Sequence, residues 1–505
     1  MNGWQGGAVI TEVGTALSIS QCTFASNEAS GGGAIFHNGS MLNVSKSTFS
    51  NNVAKTGGAI AVESSPFIGL SDCVFTQNRA TGSNTGAIEL FQTELILSSS
   101  VSGSGNSPCD GVYDRSRSIC RKWHTNVVPA FDLGKITVDS LGLRLSTGLS
   151  AKILARAGEP MAFTSPERKS TNSLLPFHTN PDAAAVFPLK DGGWIYMSNA
   201  ENESGNGGVF GVEFDANGRV RDYVKRLSGT TRNCSGGKTP WNTWVSCEEY
   251  GQGRCWQVDP TGVRSPAVTK LVEGGGNFEA MAYDIRDINS PKFFVTEDHE
   301  RGAIRRFRPI CNSIGLSWNL VQVSGEVDYL QFTGEDTFQW TASLEEGRSS
   351  AAKYYRNVEG ISFHNGILNF VSKVQKEMFS LKLDAGTYTV DTTQRGLLTG
   401  GGNFRAEPDQ LIQVGEVLYF TEDGGIDPGI FASDGIEYFT VFFANDKKFV
   451  NDETTGLAFS PDGTKMYVCI QEIGYFFEIT RDDGLAFPGH KVSKLKFSSA
   501  ANSER

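Results

Sequence analysis

Apolar positions in the first hundred residues recur at a long, regular interval rather than at helical spacing. Gly7-Ala8-Val9, Gly33-Ala34-Ile35, Gly58-Ala59-Ile60 and Gly86-Ala87-Ile88 follow one another at intervals of 26, 25 and 28 residues. In phase with them run Phe24-Ala25-Ser26-Asn27, Phe49-Ser50-Asn51-Asn52 and Phe75-Thr76-Gln77-Asn78. A unit this short cannot bury a core alone, so successive copies must stack. Phe and Ile then form inward ladders, Gly-Ala pairs take the tight corners, and Asn ladders at the turns. The pattern predicts a short right-handed parallel β-helix over residues 1–100. No carboxylate or histidine recurs in phase, so the stack reads as a stalk, spacer or adhesive surface.

Residues 101–145 read as a linker, entered through the Ser/Gly-rich stretch Ser98 to Ser107. Residues 146–490 read as one domain, in which from about 180 to 480 the period lengthens and the units share a shape rather than a sequence. Each has an alternating strand, a glycine turn, and a second strand ending in acidic residues. Phe278–Tyr283 leads to Phe293–Asp298, Val358–Phe363 to Leu368–Val371, and Glu407–Ile412 to Leu418–Asp423. Glu453–Phe459 turns at Pro461-Asp462-Gly463 into Met466–Ile470, and Asp182–Glu201 and Trp241–Glu249 supply two weaker units. Asp-Gly and Asn-Gly at such turns are favoured because glycine takes positive φ at little cost. Six such units predict a six-bladed β-propeller. Residues 491–505 read as a tail, and the fold class is all-β.

Composition agrees and narrows the function classes. Glycine supplies 58 of 505 residues, above a usual level of roughly 7%, as many tight turns require. Hydrophobic residues at 39% and charged ones at 20% provide for a packed core. A net charge of −11 argues against a nucleic-acid partner. No apolar run reaches the roughly 18 residues of a membrane helix. The opening Met1-Asn2-Gly3-Trp4 has neither the basic nor the apolar region of a signal peptide. It runs straight into a repeat, so the true N-terminus is expected to lie upstream. A secreted or cell-surface location is expected from glycosylation sequons at Asn38, Asn43, Asn202 and Asn233. Cys109 and Cys120, two of nine cysteines, frame a short polar loop that a disulfide would suit.

The acidic positions carry the candidate chemistry. Glu279, Glu359, Glu407 and Glu453 stand before inner-strand candidates, while Glu201, Glu249, Glu297 and Glu422 follow second strands. In a propeller these places lie near one end of the central channel. Carboxylates converging there repel one another, and cations relieve that; oxygen-rich clusters suit Ca²⁺. Cys247-Glu248-Glu249 adds a softer ligand of the kind transition metals take, whereas Cys469 falls in an ordinary core strand. There is no HExxH, GxSxG or EF-hand pattern. Gly237-Lys238-Thr239 hints at a phosphate loop, but Arg232 replaces its first glycine and Pro240 stops the required helix. The six histidines show no ligand spacing.

Thr239-Pro240-Trp241-Asn242-Thr243-Trp244-Val245-Ser246-Cys247-Glu248-Glu249 resembles the signature of the PhoX-type alkaline phosphatases. Ser198-Asn199-Ala200-Glu201, Phe278-Glu279-Ala280, Glu297-Asp298 before Arg306-Phe307, Glu359-Gly360-Ile361, Pro408-Asp409-Gln410-Leu411 and Glu453-Thr454-Thr455-Gly456 match in the family's order over about residues 145–480. The resemblance implies a propeller with Fe³⁺ and Ca²⁺ at the channel mouth, hydrolysing small phosphate monoesters. It implies Cys247 as an iron ligand with Glu279 and Glu359, and Glu201, Glu249, Asp409, Glu422 and Glu453 as further carboxylate ligands; Glu248 and Glu297 complete the acidic set. Arg356 or Arg405 would grip the phosphoryl oxygens. This chain has Asn199-Ala200-Glu201 where the family has Asn-His-Glu, and Arg356 is one place off the expected arginine. The N-terminal repeats resemble those of the polymorphic outer-membrane proteins, which implies a cell-surface or glycan contact. Two alternatives stand beside the phosphatase. One is a calcium-stabilised adhesin or glycan binder; the other is a calcium-dependent lactonase or esterase, for which His299 and His364 are the in-blade candidates.

Overall fold

Glycine at each corner of the N-terminal repeat lets two backbones meet where no side chain fits. A Cβ on Gly33 would stand 2.1 Å from the Gly58 carbonyl oxygen, and one on Gly7 as close to that of Gly33. The computed structural model describes residues 7–487 apart from 12–14, 39–40, 64–66, 72, 83–85, 92–93, 98–101, 108, 115–118, 123–135, 139–140, 147, 169, 311–314, 393–406, 426–427, 434–437 and 445. The chain divides into two units, the first essentially residues 1–130 and the second the remainder.

In the first unit the repeat strands pair in parallel with their counterparts one repeat later, and only Ile119–Lys122 pairs antiparallel, with Cys109–Asp114, among the described residues. Val9–Thr11, Ile35–His37, Ile60–Glu63 and Gly86–Phe91 form one ladder. Ala16–Ser20, Met41–Ser45, Phe67–Ser71 and Glu94–Leu97 form a second. Inside, the rings of Phe24, Phe49 and Phe75 stack at 4.9 and 4.7 Å. Asn27, Asn52, Asn78 and Asn106 form an amide ladder with bonds of 2.8, 2.8 and 2.9 Å. The expected linker departs from this reading. Ser102–Ser104 pairs in parallel with Val74–Thr76, and Cys109–Asp114 and Ile119–Lys122 are strands as well. Backbone ladders and an in-phase Asn106 need no apolar side chains, so a Ser/Gly-rich segment continues the stack. The expected Cys109–Cys120 bridge is also corrected. The register sets Cys120 opposite Tyr113, leaving Cys109 at the far end of its strand, beyond the Cα separation a disulfide spans.

The asparagine ladder makes a direct prediction. Asn78 donates to Asn106 Oδ1 and the Phe49 carbonyl and accepts from the Asn52 side-chain amide, all buried. Asn78→Ala strands those groups and is expected to cost about 3 kcal/mol, read as an earlier urea transition of the N-terminal unit. An unchanged transition would mean that the ladder contributes nothing to stability.

In the second unit the described strands pair antiparallel, with one isolated parallel bridge between Ala157 and Phe177. Pro181–Pro188, Trp194–Ala200, Gly207–Phe214 and Val220–Thr230 make its first sheet. Asn233–Lys238, Trp244–Tyr250, Cys255–Val258 and Ala267–Val268 follow, and they continue through Glu249↔Asn277 pairing into Gly276–Asp284, Lys292–Glu297, Arg305–Pro309, Gly325–Phe332 and Phe338–Thr341. Helix Leu344–Tyr354, with the Ser343 side chain accepting from the Glu346 amide, is an element the strand pattern did not announce. Val358–His364, Ile367–Ser372, Glu377–Lys382 and Thr387–Thr392 form the next sheet. The strands from Glu407 to Ala444 are joined at one edge by Leu143–Ser146, and those from Thr454 to Arg481 by Leu149–Arg156.

Specific bonds tie several neighbouring sheets together. Trp244 Nε1 donates to Asn199 Oδ1, Thr296 Oγ1 to the Glu359 carbonyl, and the Glu422 amide to Thr454 Oγ1. Thr455 Oγ1 donates to the Pro181 carbonyl at 2.6 Å, returning from the last sheet to the first. No described helix is long and apolar enough to cross a membrane.

Candidate metal centre

The same irregularity recurs at the start of four inner strands. Register shifts fall between Asn233 and Gly236, Phe278 and Met281, Val358 and Ile361, and Pro408 and Leu411. In these four the residue entering the shift bears a side chain that can ligate a metal, Cys234, Glu279, Glu359 and Asp409, while the same shift between Thr455 and Ala458 admits Gly456. A β-bulge bends the strand and re-aims one side chain out of the ladder. Neighbouring threonines satisfy the displaced backbone, Thr296 Oγ1 accepting from the Ala280 amide and Thr421 Oγ1 from that of Gln410, each at 2.9 Å.

These side chains meet in three linked groups. Asp182, Glu201 and Cys234 form one, Cys234, Glu249 and Glu279 the second, and Glu279, Glu359 and Asp409 the third. Within each group the ligand atoms lie within 4.8 Å of one another. Cys234 and Glu279 are shared, so the three groups are continuous. Asp182 Oδ2 and Glu279 Oε2 are buried and accept no hydrogen bond. An orphaned carboxylate oxygen in a buried site is costly unless a proton or cation joins it. The donor set therefore fits metal. Carboxylate oxygens alone suit a hard cation, and the thiolate of Cys234 suits a softer one.

Without a cation the cluster must hold protons. Burial, then the charges of Glu359 and Asp409, push the Glu279 carboxyl well above its ordinary range. Burial and the negative neighbours Glu201 and Asp409 do the same to Asp182. Burial raises Glu359 despite the opposing pull of Lys373, and burial with Asp409 raises Glu453. Burial and Glu201 push Glu249 up to about 8 against the pull of Arg232. Burial, then Asp182 and Glu279, raise the Cys234 thiol, whose Sγ lies 3.4 Å from Glu279 Oε1.

Two cationic side chains stand among the acids. Arg232, held at φ 47°, contacts Glu201 at 2.9 Å and Glu249 at 2.5 Å. Lys373 reaches Glu359 at 3.2 Å and Asp423 at 2.6 Å.

Glu201, Glu249, Glu279, Glu359 and Asp409, all expected at the site, are brought together. Glu453 is buried beside Asp409, with Asp409 the main charge acting on it. Other expected residues stand elsewhere. Cys247 is fully buried among Val245, Phe278 and Phe293, with its Sγ 2.6 Å from that of Cys255; Cys234 is the cysteine among the carboxylates. Glu248 accepts from the amides of Thr231 and Arg254 and from Trp256 Nε1 at 2.9, 3.2 and 3.0 Å, so it holds the hairpin. Glu297 forms a buried ion pair with Arg305 at 2.7 Å. Glu422 is buried, opposite Pro408, outside the three groups. Glu407 pairs with Asp423, and the bulge chooses Asp409 instead. Arg356 is exposed, its amide bonded to Gln375, and Arg405 lies outside the described residues. His299 is exposed and His364 sits beside Glu416 at 3.3 Å; neither belongs to a group.

Sequence reasoning missed Cys234, Asp182, Arg232 and Lys373. Cys234 had a legible signal. Asn233-Cys234-Ser235-Gly236 stands at its strand start as Phe278-Glu279-Ala280-Met281 stands at its own, but it reads first as a sequon. Lys373 had none.

A family model described as alkaline phosphatase PhoX matches residues 216–294, which include Arg232, Cys234, Glu249 and Glu279. Among solved structures the chain is similar to Pseudomonas fluorescens PhoX in complex with vanadate, a transition state analogue. Identity is 15% and the TM-score 0.53, over 71% of this chain and 98% of that one. A structural genomics protein of unknown function from Bacteroides thetaiotaomicron aligns at 8% identity and TM-score 0.37, over 66% and 76% of the two chains. The PQQ domain of pyranose dehydrogenase from Coprinopsis cinerea aligns at 11% and 0.34, over 68% and 98%. The last two likenesses are too low to argue from. No curated protein matches this sequence. The first shows a PhoX-like all-β fold; the partial match to the PhoX model together with the clustered ligands supports a metal-associated, hydrolase-like protein.

Proposed function

We propose that the second unit is a metal-dependent phosphomonoesterase. The observation that carries this reading is the continuity of the three ligand groups through Cys234 and Glu279. Such a chain of donors holds neighbouring cations, as in-line phosphoryl displacement uses them. The oxygen-only group Glu279, Glu359 and Asp409 would take Ca²⁺, and the groups containing Cys234 would take iron. Bound between these residues, such cations would neutralise the phosphoryl oxygens and lower the pKa of a nucleophile. The chain's own part is to orient and to exclude water. Arg232 keeps Glu201 and Glu249 turned toward Cys234 and offers its remaining N–H groups to a phosphoryl oxygen, while Lys373 does so from the side of Glu359. These two take the role expected of Arg356 and Arg405. The match to the PhoX model and the likeness to the vanadate complex of the Pseudomonas protein support the substrate class.

The six inner-strand units and the contact from Thr455 back to Pro181 support a six-bladed propeller over residues 146–490, with the cluster at one channel mouth. The parallel ladders support a right-handed β-helix ahead of it, acting as a surface or spacer module of a secreted or cell-surface protein.

The test is release of phosphate from a chromogenic monoester, together with elemental analysis of the purified protein. Turnover abolished by chelation and restored by iron with calcium is expected. Arg232→Ala should lower kcat/KM roughly 30-fold, the worth of about 2 kcal/mol of charge-assisted bonding, with metal retained. Metal-loaded protein inactive on monoesters and diesters would end the assignment. Turnover of lactones alone, or calcium-dependent glycan binding without turnover, would replace it with one of the other two readings.

A further inference from the structure

The tie between Cys247 and Cys255 lies outside the metal centre and is independent of its function. Trp244–Tyr250 and Cys255–Val258 are antiparallel neighbours, and their register sets Cys247 directly opposite Cys255. The next pair inward toward the turn is Glu248 with Arg254, where the Glu248 amide donates to the Arg254 carbonyl at 2.9 Å. Hydrogen-bonded and non-hydrogen-bonded pairs alternate along such a ladder. Cys247 and Cys255 are therefore a non-hydrogen-bonded pair, the kind whose Cα atoms stand only about 4.5 Å apart and whose side chains are closest. The far side of Cys255 agrees: its carbonyl turns away and accepts from the Thr269 amide and hydroxyl at 2.9 and 3.0 Å. That Cα separation falls inside the range a disulfide spans. Both side chains are fully buried, and the two Sγ atoms lie 2.6 Å apart.

We propose that Cys247 and Cys255 form a structural disulfide that clamps the strand bearing Glu248 and Glu249 to its hairpin partner. The oxidant is a low-molecular-weight or protein disulfide of an oxidising compartment. One cysteine thiolate attacks that disulfide and releases one of its sulfurs as a thiol. The second cysteine thiolate then attacks the resulting mixed disulfide and releases the other. The protein loses two hydrogen atoms and the partner disulfide is reduced to two thiols, so electrons and protons balance. Because neither sulfur meets solvent in the folded chain, the bond forms before the core closes and resists added thiols afterwards. Cys234, half-buried among the carboxylates, stays outside the exchange.

Trypsin separates the partners, since Lys238, Arg254 and Arg264 place Cys247 in peptide 239–254, Cys255 in 255–264 and Cys234 in 233–238. Protein made in an oxidising compartment is denatured, alkylated without reductant, digested and mapped by mass. Peptides 239–254 and 255–264 are expected as one linked species that reduction splits, with 233–238 alkylated from the start. Cys247→Ala and Cys255→Ala should lower Tm by the same few degrees, the double variant no further, and reductant should erase the difference only after unfolding. Separate alkylation of both peptides, or linkage of 239–254 to 233–238, overturns the proposal. The wild-type map decides even where a variant fails to fold.

Discussion

Glu279→Gln is expected to empty the metal centre and abolish turnover, lowering kcat/KM on the order of 10³-fold or more. Glu279 belongs to two of the three ligand groups, and its Oε2 is buried without a partner. The amide keeps the shape but gives up the charge, so both groups lose the anion that holds cations next to each other. Elemental analysis after dialysis checks this directly. The metal-free proteins should behave in the opposite sense. Glu279 and Glu249 have folded pKa values raised above the ordinary carboxylate range, Glu249 to about 8 from 4.5. Groups raised in this way favour the fold below about pH 4.5 and withdraw that stability as pH rises toward 8, by up to about 1.4 kcal/mol per pH unit for each group. Metal-stripped wild type should therefore lose Tm across that window. Metal-stripped Glu279→Gln, with one charge fewer, should lose less and be the more stable at pH 8. Glu297→Gln is the contrast: it breaks the buried pair with Arg305, should cost about 3–5 kcal/mol, and should leave metal content per folded molecule unchanged. Full metal content in Glu279→Gln would sink the assignment of this cluster.

Cys234→Ser is expected to remove the softer metal and leave the harder one. Its thiol is the sulfur within 4.8 Å of both carboxylate groups it joins, and a serine hydroxyl does not supply a thiolate. Iron content should fall several-fold and activity with it, while calcium bound through Glu279, Glu359 and Asp409 persists. Any thiolate-to-metal absorption band should vanish. Cys247→Ser, the residue that the signature Ser246-Cys247-Glu248-Glu249 suggests, should lower stability and leave iron bound. Cys469→Ser should leave it bound too, since Cys469 is buried against Tyr196 in the core. The reverse pattern, iron lost with Cys247→Ser and kept with Cys234→Ser, would return the ligand to position 247.

The two halves of the chain were legible to different depths. The N-terminal ladders could be read residue by residue, because a stack of near-identical repeats places each Phe on a Phe and each Asn on an Asn. Phe49 between Phe24 and Phe75, and Asn52 between Asn27 and Asn78, follow from period alone. Strand alternation and Gly turns likewise announced the antiparallel second half, and the phased acids announced that carboxylates gather. The phase was too coarse to say which ones. Glu407 and Asp409 differ by two residues, and so by nothing in strand parity.

Period and alternation act between residues near in sequence or one repeat apart, so they are written into the chain itself. The final ligand set depends on bulges, which turn Cys234, Glu279, Glu359 and Asp409 out of their ladders, and on packing between sheets far apart in sequence. Glu297 was withdrawn by Arg305, Glu248 by the amides of its own hairpin, and Cys247 by Cys255. Arg232 and Lys373 were recruited because unpaired buried charge draws the nearest cation. Arg305 and the hairpin donors hold Glu297 and Glu248 outside the cluster, whereas Glu201 and Glu249 stay beside Cys234 although Arg232 reaches both. That competition is settled between neighbours in space, where sequence spacing carries no information.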